Sequence, residues 1–144
     1  MVSRLAILVA MSAGLGIACT CEAPSVSSAK RQADVVFRGT ITQFRDSEKG
    51  YRIAIFKVSR VWKGDVHETF EIPAIEEEGG GCSGFAPRLI RGWNDLLVYA
   101  TRIAPADDYI ITSCSRTALA SETTDFKQLG QGRTPKPTKG AALK

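Results

Sequence analysis

Apolar and polar residues alternate through much of this chain, and the alternation predicts strands. From 33 to 42, Ala33, Val35, Phe37, Gly39 and Ile41 share one face while Asp34, Arg38, Thr40 and Thr42 take the other, the period of two of a half-buried strand. Gly39 in mid-strand predicts a bend. Arg45 to Gly50 is a charged turn. In the next run Tyr51, Ile53 and Ile55 hold one face and then Phe56 and Val58 the opposite one, which reads as a bulge within a second strand. Trp62-Lys63-Gly64-Asp65 closes it. A third strand, Val66 to Ile72, sets Val66, Phe70 and Ile72 against His67, Thr69 and Glu71, and Pro73 ends it. Within 93–102 the run Leu96-Leu97-Val98-Tyr99-Ala100 is apolar on both faces, which predicts a central strand. Tyr109 to Ser113 is a fifth strand.

Between and around these, Ser25 to Gln32 suits a short helix or loop, and Ser121 to Leu129 a short helix stopped by Gly130. Glu76 to Gly81 joins an acidic run to three glycines and reads as a solvated loop, or else as a mobile contact loop tied by a disulfide to the N-terminus. Gln131 to Lys144 carries two prolines, two glycines and only basic charges, and is expected to be a disordered tail. The expected fold is all-β: five strands and a terminal helix in a small closed or partly open barrel, of which the OB-fold is the five-stranded member.

The leader changes what the chain can do. In Met1 to Ala18, Arg4 is the positive end, Leu5 to Met11 the apolar core and Gly16-Ile17-Ala18 a small-residue cleavage site, the pattern of a signal peptide. The apolar run is too short to span a bilayer and no transmembrane segment is expected. Acylation of Cys19 is disfavoured because Gly16 stands where a lipidation signal wants a larger aliphatic residue. Cleavage after Ala18 sends the protein to the extracellular space or periplasm and leaves about 126 residues, enough for one small core. The domains are then 1–18, 19–130 and the tail 131–144.

The formal charge of +4 is unevenly placed. Of 19 basic residues Arg4 lies in the leader and Arg133, Lys136, Lys139 and Lys144 in the tail, so the span between is near neutral against 15 acidic residues. A nucleic-acid platform needs its basic residues on the domain itself, so that class is excluded.

Four cysteines in an exported chain predict two disulfides. Cys19 and Cys21 are too close to pair without strain, so each is expected to bond with either Cys82 or Cys114. Each bridge would close a loop of roughly 60 to 95 residues, for which chain entropy gives about 4 kcal/mol. A four-thiolate zinc site fits less well, because zinc ribbons pair Cys-x-x-Cys knuckles and here one Cys-x-Cys precedes two isolated cysteines.

Other candidate chemistry is thin. His67, the only histidine, lacks histidine partners and reads as an exposed strand residue. Trp62, Trp93 and Tyr99 read as barrel core or rim rather than a stacking platform. Ser113, Ser115 and Asp125 do not make a hydrolase, since no serine sits in a nucleophile elbow. Gly79 to Gly81 neither follows a strand nor opens a helix, so it is no phosphate loop. No enzyme and no cofactor are expected.

The motifs Cys19-Thr20-Cys21 after a leader, Ala33 through Gly39, Tyr51 through Trp62-Lys63-Gly64, Gly81-Cys82-Ser83-Gly84-Phe85, Leu96 through Ala100 and Thr112-Ser113-Cys114-Ser115 resemble, in order and spacing, the inhibitory domain of the tissue inhibitors of metalloproteinases, part of the netrin-like module group. The likeness runs from Cys19 to about Leu129. It implies an OB-type barrel with bridges Cys19–Cys82 and Cys21–Cys114. It also implies that the mature N-terminus is the working part: the Cys19 amine and carbonyl would chelate the catalytic zinc of a partner metalloprotease, and Thr20 would enter the adjoining specificity pocket. Cys21 and Glu22 would continue that contact surface, and Gly80 and Gly81 would add to it. The expected partner is a zinc metalloprotease and the protein a monomer; the alternative is a netrin-like binding or structural module without protease inhibition. The family's third disulfide has no cysteines here.

Overall fold

A computed structural model of the chain describes residues 21–75, 92 and 94–138. Cys19, Thr20, Gly79 to Gly81, Cys82 and Trp93, on which several expectations fall, lie outside the described residues.

Helix α1 (Val26–Gln32) follows an N-cap in which Ser25 Oγ accepts from Ser28 N at 3.2 Å. It ends where Lys63 Nζ donates to the free carbonyls of Lys30 and Arg31, at 2.9 and 2.8 Å. Strands β1 (Val35–Asp46) and β2 (Arg52–Lys63) then make a long antiparallel hairpin. The charged turn lies where it was expected: Ser47 N bonds Tyr51 O and Gly50 takes φ +85°. Strands β3 (Thr69–Ala74), β4 (Asp95–Ile103), β5 (Asp108–Ile110) and β6 (Ala118–Leu119) complete one antiparallel sheet in the order β3-β2-β1-β4-β5, with β6 on β4. Helix α2 (Phe126–Leu129) comes last and stops at Gly130, φ +75°.

The sheet is curled into a half-barrel, and its two faces feed two cores. Val35, Phe37, Ala54, Phe56, Ile72, Leu96, Val98 and Ala100 fill the inner one. Val36, Leu97 and Tyr99 face the other way, onto Val26 and Ala29 of α1 and Leu129 of α2. This explains why β4 is apolar on both faces: successive side chains enter different cores, and β1 and β6 flank it at Leu96 and Leu97.

Four expectations need correction. The apolar phase of β2 is unbroken through Ala54, Phe56 and Val58, all in the inner core. The extra residue at the Ile55–Phe56 step is instead Thr42 on β1, and β2 has its own register shifts at Ser59 and Trp62. Gly39 sits at one of these shifts, where a Cβ would meet the Phe37 ring at 3.1 Å and Lys57 O at 3.2 Å. The third strand runs past Pro73, which lies opposite Ile53; β3 is at the end of the hydrogen-bonded order, where a missing N–H costs no ladder bond. Of the expected helix 121–129 only the last four residues are helical.

The fourth concerns the tail. Among the described residues it has defined backbone partners: Arg133 exchanges both backbone bonds with Val61, at 2.8 and 2.7 Å, and Lys136 bonds Val66 O and Glu68 N at 3.0 and 2.9 Å. Arg133 thus pairs β2 at Val61, beyond the end of its ladder with β3 at Lys57, and Lys136 pairs the stretch ahead of β3, so composition alone misjudged these residues.

Candidate functional site

The described part of the expected contact surface is Cys21 and Glu22, on the segment that leads into α1. Cys21 is bonded to Cys114, 93 residues away, with Cα atoms 5.2 Å apart. This is the pairing that the resemblance implies for the second cysteine of Cys-x-Cys. Cys19, Thr20, Gly80, Gly81 and the Cys19–Cys82 bridge lie outside the described residues, so their geometry is not part of the site as described. Glu22 and Ala23 are exposed.

Two residues beyond Cys114, Arg116 reaches back to the same segment, its Nη1 donating to Pro24 O at 2.9 Å. The rest of its guanidinium is taken by Asp125: Nε donates to Oδ2 at 2.8 Å and Nη2 to Oδ1. Tyr99 Oη donates to Oδ2 of the same carboxylate at 2.9 Å. Asp125 is 1% exposed, and its position before α2 is that of an N-cap, yet its side chain caps nothing because Arg116 and Tyr99 occupy it. Thr117 adds a parallel tie, accepting from Tyr99 N at 2.9 Å.

The electrostatics follow from this arrangement. Burial pushes the Asp125 carboxyl up, but the hydrogen bonds from Arg116 and Tyr99 and the cationic charge outweigh it, and the net shift is downward. Burial, and then the bond to a carboxylate, raise the Tyr99 hydroxyl well above its ordinary value. The bond to Asp125 raises the Arg116 guanidinium despite burial. All three groups hold fixed protonation states at neutral pH, so the cluster is a tie and not a proton-transfer centre. A hollow of about 300 Å³ opens beside Ala23, lined in part by Ser115, Arg116, Thr117, Glu122 and Thr124.

His67 and Trp62 are placed elsewhere. His67 Nδ1 lies 3.0 Å from Pro137 O, and Trp62 is half-buried, its ring 5.5 Å from that of Phe126 and its Nε1 donating to Gly130 O. Among the described residues no three His, Cys, Asp or Glu gather as metal ligands, and no helix is long and apolar enough to cross a membrane.

Sequence reasoning missed Arg116 and dismissed Asp125. Neither carries a periodic signal, and only the fold brings positions 24, 99, 116 and 125 together. The one usable hint is that Arg116 stands two residues after a cysteine expected to anchor the N-terminus. No protein-family model matches the sequence, and no curated protein matches it.

Proposed function

We propose that this chain is an exported inhibitor-like protein, an OB-type barrel of the netrin-like kind, whose processed N-terminus at Cys19 caps the zinc of a metalloprotease. The observation that carries the reading is the Cys21–Cys114 bond, which ties the second cysteine of Cys-x-Cys to a residue 93 positions further along the chain. A wedge fixed in this way loses little conformational freedom on docking. With its sulfur engaged in a second bridge, Cys19 offers its amine and carbonyl as ligands. An α-amino group titrates near pH ~8, so the neutral form that binds metal is reached at small cost at neutral pH. These two atoms displace the zinc-bound water from the open position that catalysis requires. Oxidising export compartments suit the disulfide.

The test begins with intact mass of the exported protein, which reports cleavage before Cys19, the absence of an acyl chain and the loss of thiol hydrogens. The protein is then assayed against a panel of zinc metalloendopeptidases beside a form with one alanine inserted before Cys19. Inhibition by the parent and its loss in the extended form is the expected result. Equal inhibition by both, or none by a parent correctly processed at Cys19, overturns the chelation reading and leaves the binding module without inhibition.

A further inference from the structure

The disulfide alone does not orient the segment it anchors. Cys21 is fixed at one end of residues 21–24 and α1, with Val26 buried, at the other, and the backbone between these ends keeps its own rotational freedom. Among the described residues one hydrogen bond holds the backbone of residues 21–24, the bond from Arg116 Nη1 to Pro24 O at 2.9 Å. Pro24 has no N–H, so its carbonyl is the backbone group through which it can be held.

The donor is itself aimed. A guanidinium is planar, and its Nε/Nη2 edge matches a carboxylate bidentately, which fixes the direction of the remaining Nη1. Asp125 occupies that edge and is 1% exposed. Tyr99 holds Asp125 from β4, the strand whose residues 96 to 100 are all buried. A continuous path thus runs from the central strand through Tyr99, Asp125 and Arg116 to Pro24, independent of the Cys21–Cys114 bond. Lysine at 116 has the charge but not the fork, and cannot satisfy the carboxylate edge and the carbonyl in fixed directions together.

We infer that Arg116, oriented by Asp125, is the positioning residue of the N-terminal segment: between the Cys21 disulfide and α1 it supplies the side-chain anchor that fixes the direction of residues 21–24. This rests on the inhibitor reading for its consequence, because the direction of residues 21–24 sets where the Cys19 amine and carbonyl stand.

The experiment uses the oxidised, exported full chain and two readouts. Backbone ¹⁵N relaxation gives order parameters for Glu22, Ala23 and Ser25 in the parent, in Arg116→Lys and in Tyr99→Phe. In Arg116→Lys these are expected to fall from roughly 0.85 to below about 0.6, with β1 and β4 unchanged. Tyr99→Phe, which leaves the ion pair in place, should fall between; it also serves if the lysine variant does not fold. The second readout is inhibition of whichever protease the parent inhibits, where Arg116→Lys should weaken binding at least tenfold, mainly through faster dissociation, with Cys21–Cys114 intact by mass. Unchanged order parameters at 22–25, or a loss of order spread evenly over β1 and β4, overturns the positioning role. Loosened residues with undiminished inhibition overturn its part in docking. A parent that inhibits nothing removes the inhibitor reading, and the relaxation data still decide whether Arg116 aims the segment.

Discussion

The rings of Phe70 and Tyr109 stand 5.0 Å apart at 57°, joining β3 to β5, which lie at opposite ends of the hydrogen-bonded order of the sheet. Phe70 also lies 5.2 Å from Phe37, which meets Phe56 edge-on at 5.4 Å. A row of four aromatic rings therefore spans the inside of the curl. Strand twist starts the curling, and this row keeps the ends together.

Phe70→Ala is accordingly expected to cost about 2–3 kcal/mol, less than a fully buried phenylalanine because Phe70 keeps some exposure. Tyr109→Ala should cost less, and the double variant should fall short of the sum by about 0.5–1.5 kcal/mol, the worth of an aromatic pair. Denaturant unfolding of the oxidised protein measures all three. Strict additivity would mean that the rings are neighbours without holding the curl.

The Arg116–Asp125 pair makes a prediction about acid. The folded-state pKa of Asp125 is depressed, so the unfolded chain takes up this proton first as pH falls. The pair's contribution is fully present above the ordinary carboxylate range, near pH ~4, and is lost as pH drops through the lower folded value. Asp125→Asn should therefore be less stable than the parent at pH 7 by about 3 kcal/mol, because it leaves the guanidinium poorly paired beside buried surface. The difference should shrink below pH ~4. Urea midpoints across the acid range test the sign: a gap that widens on acidification would mean that the carboxyl is not held low.

Much of the fold was legible because it rests on local alternation. Val35, Phe37 and Ile41 read as one face of a strand, and they line the inner core or pack against it. The two-sided run at Leu96 to Ala100 revealed the central strand. Errors came where a partner strand decides: β2 keeps its phase at Phe56, the register shift there belongs to Thr42 across the hairpin, and no single-strand pattern shows that. The tail misled for a related reason, since the backbone bonds of Arg133 to Val61 of β2, and of Lys136 to Val66 and Glu68 ahead of β3, depend on what those stretches leave unpaired and not on the tail's own composition. For the site, cysteine spacing and the leader pointed to the N-terminal segment. The residues that hold it, Arg116, Asp125 and Tyr99, meet only through tertiary contact.

Two glycines of similar backbone conformation should respond differently to alanine. Gly50 and Gly64 have φ +85° and +82°. A Cβ at Gly50 meets nothing within 4 Å, so Gly50→Ala bears only the left-handed penalty of about 1–2 kcal/mol. At Gly64 it would stand 2.5 Å from Asp34 O and 2.6 Å from Val35 Cγ1, against the start of β1. Backbone must move there, so Gly64→Ala should cost at least about 2 kcal/mol more than Gly50→Ala. Thermal unfolding of the two variants side by side checks the ranking, and equal losses would show that β1 yields easily at Asp34.

The segment 133–138 lies across β2 and the turn before β3, and two kinds of interaction compete to explain it. One is electrostatic: Lys136 Nζ sits 2.8 Å from Asp65 Oδ1, with both side chains more than half exposed. Ion pairs this exposed contribute little and are screened by salt. The other is the set of four backbone bonds to Val61, Val66 and Glu68, two of them made by the fully buried Val61. Unpairing buried backbone groups carries a desolvation penalty that salt does not touch. The bonds should dominate. A chain ending at Gly132 is then expected to be less stable than one ending at Thr138 by about 2 kcal/mol, the order set by a few net hydrogen bonds less the cost of ordering the segment. The gap should be the same at low salt and at ionic strengths where the Debye length is about 3 Å. A gap that closes on adding salt would assign the segment's attachment to charge.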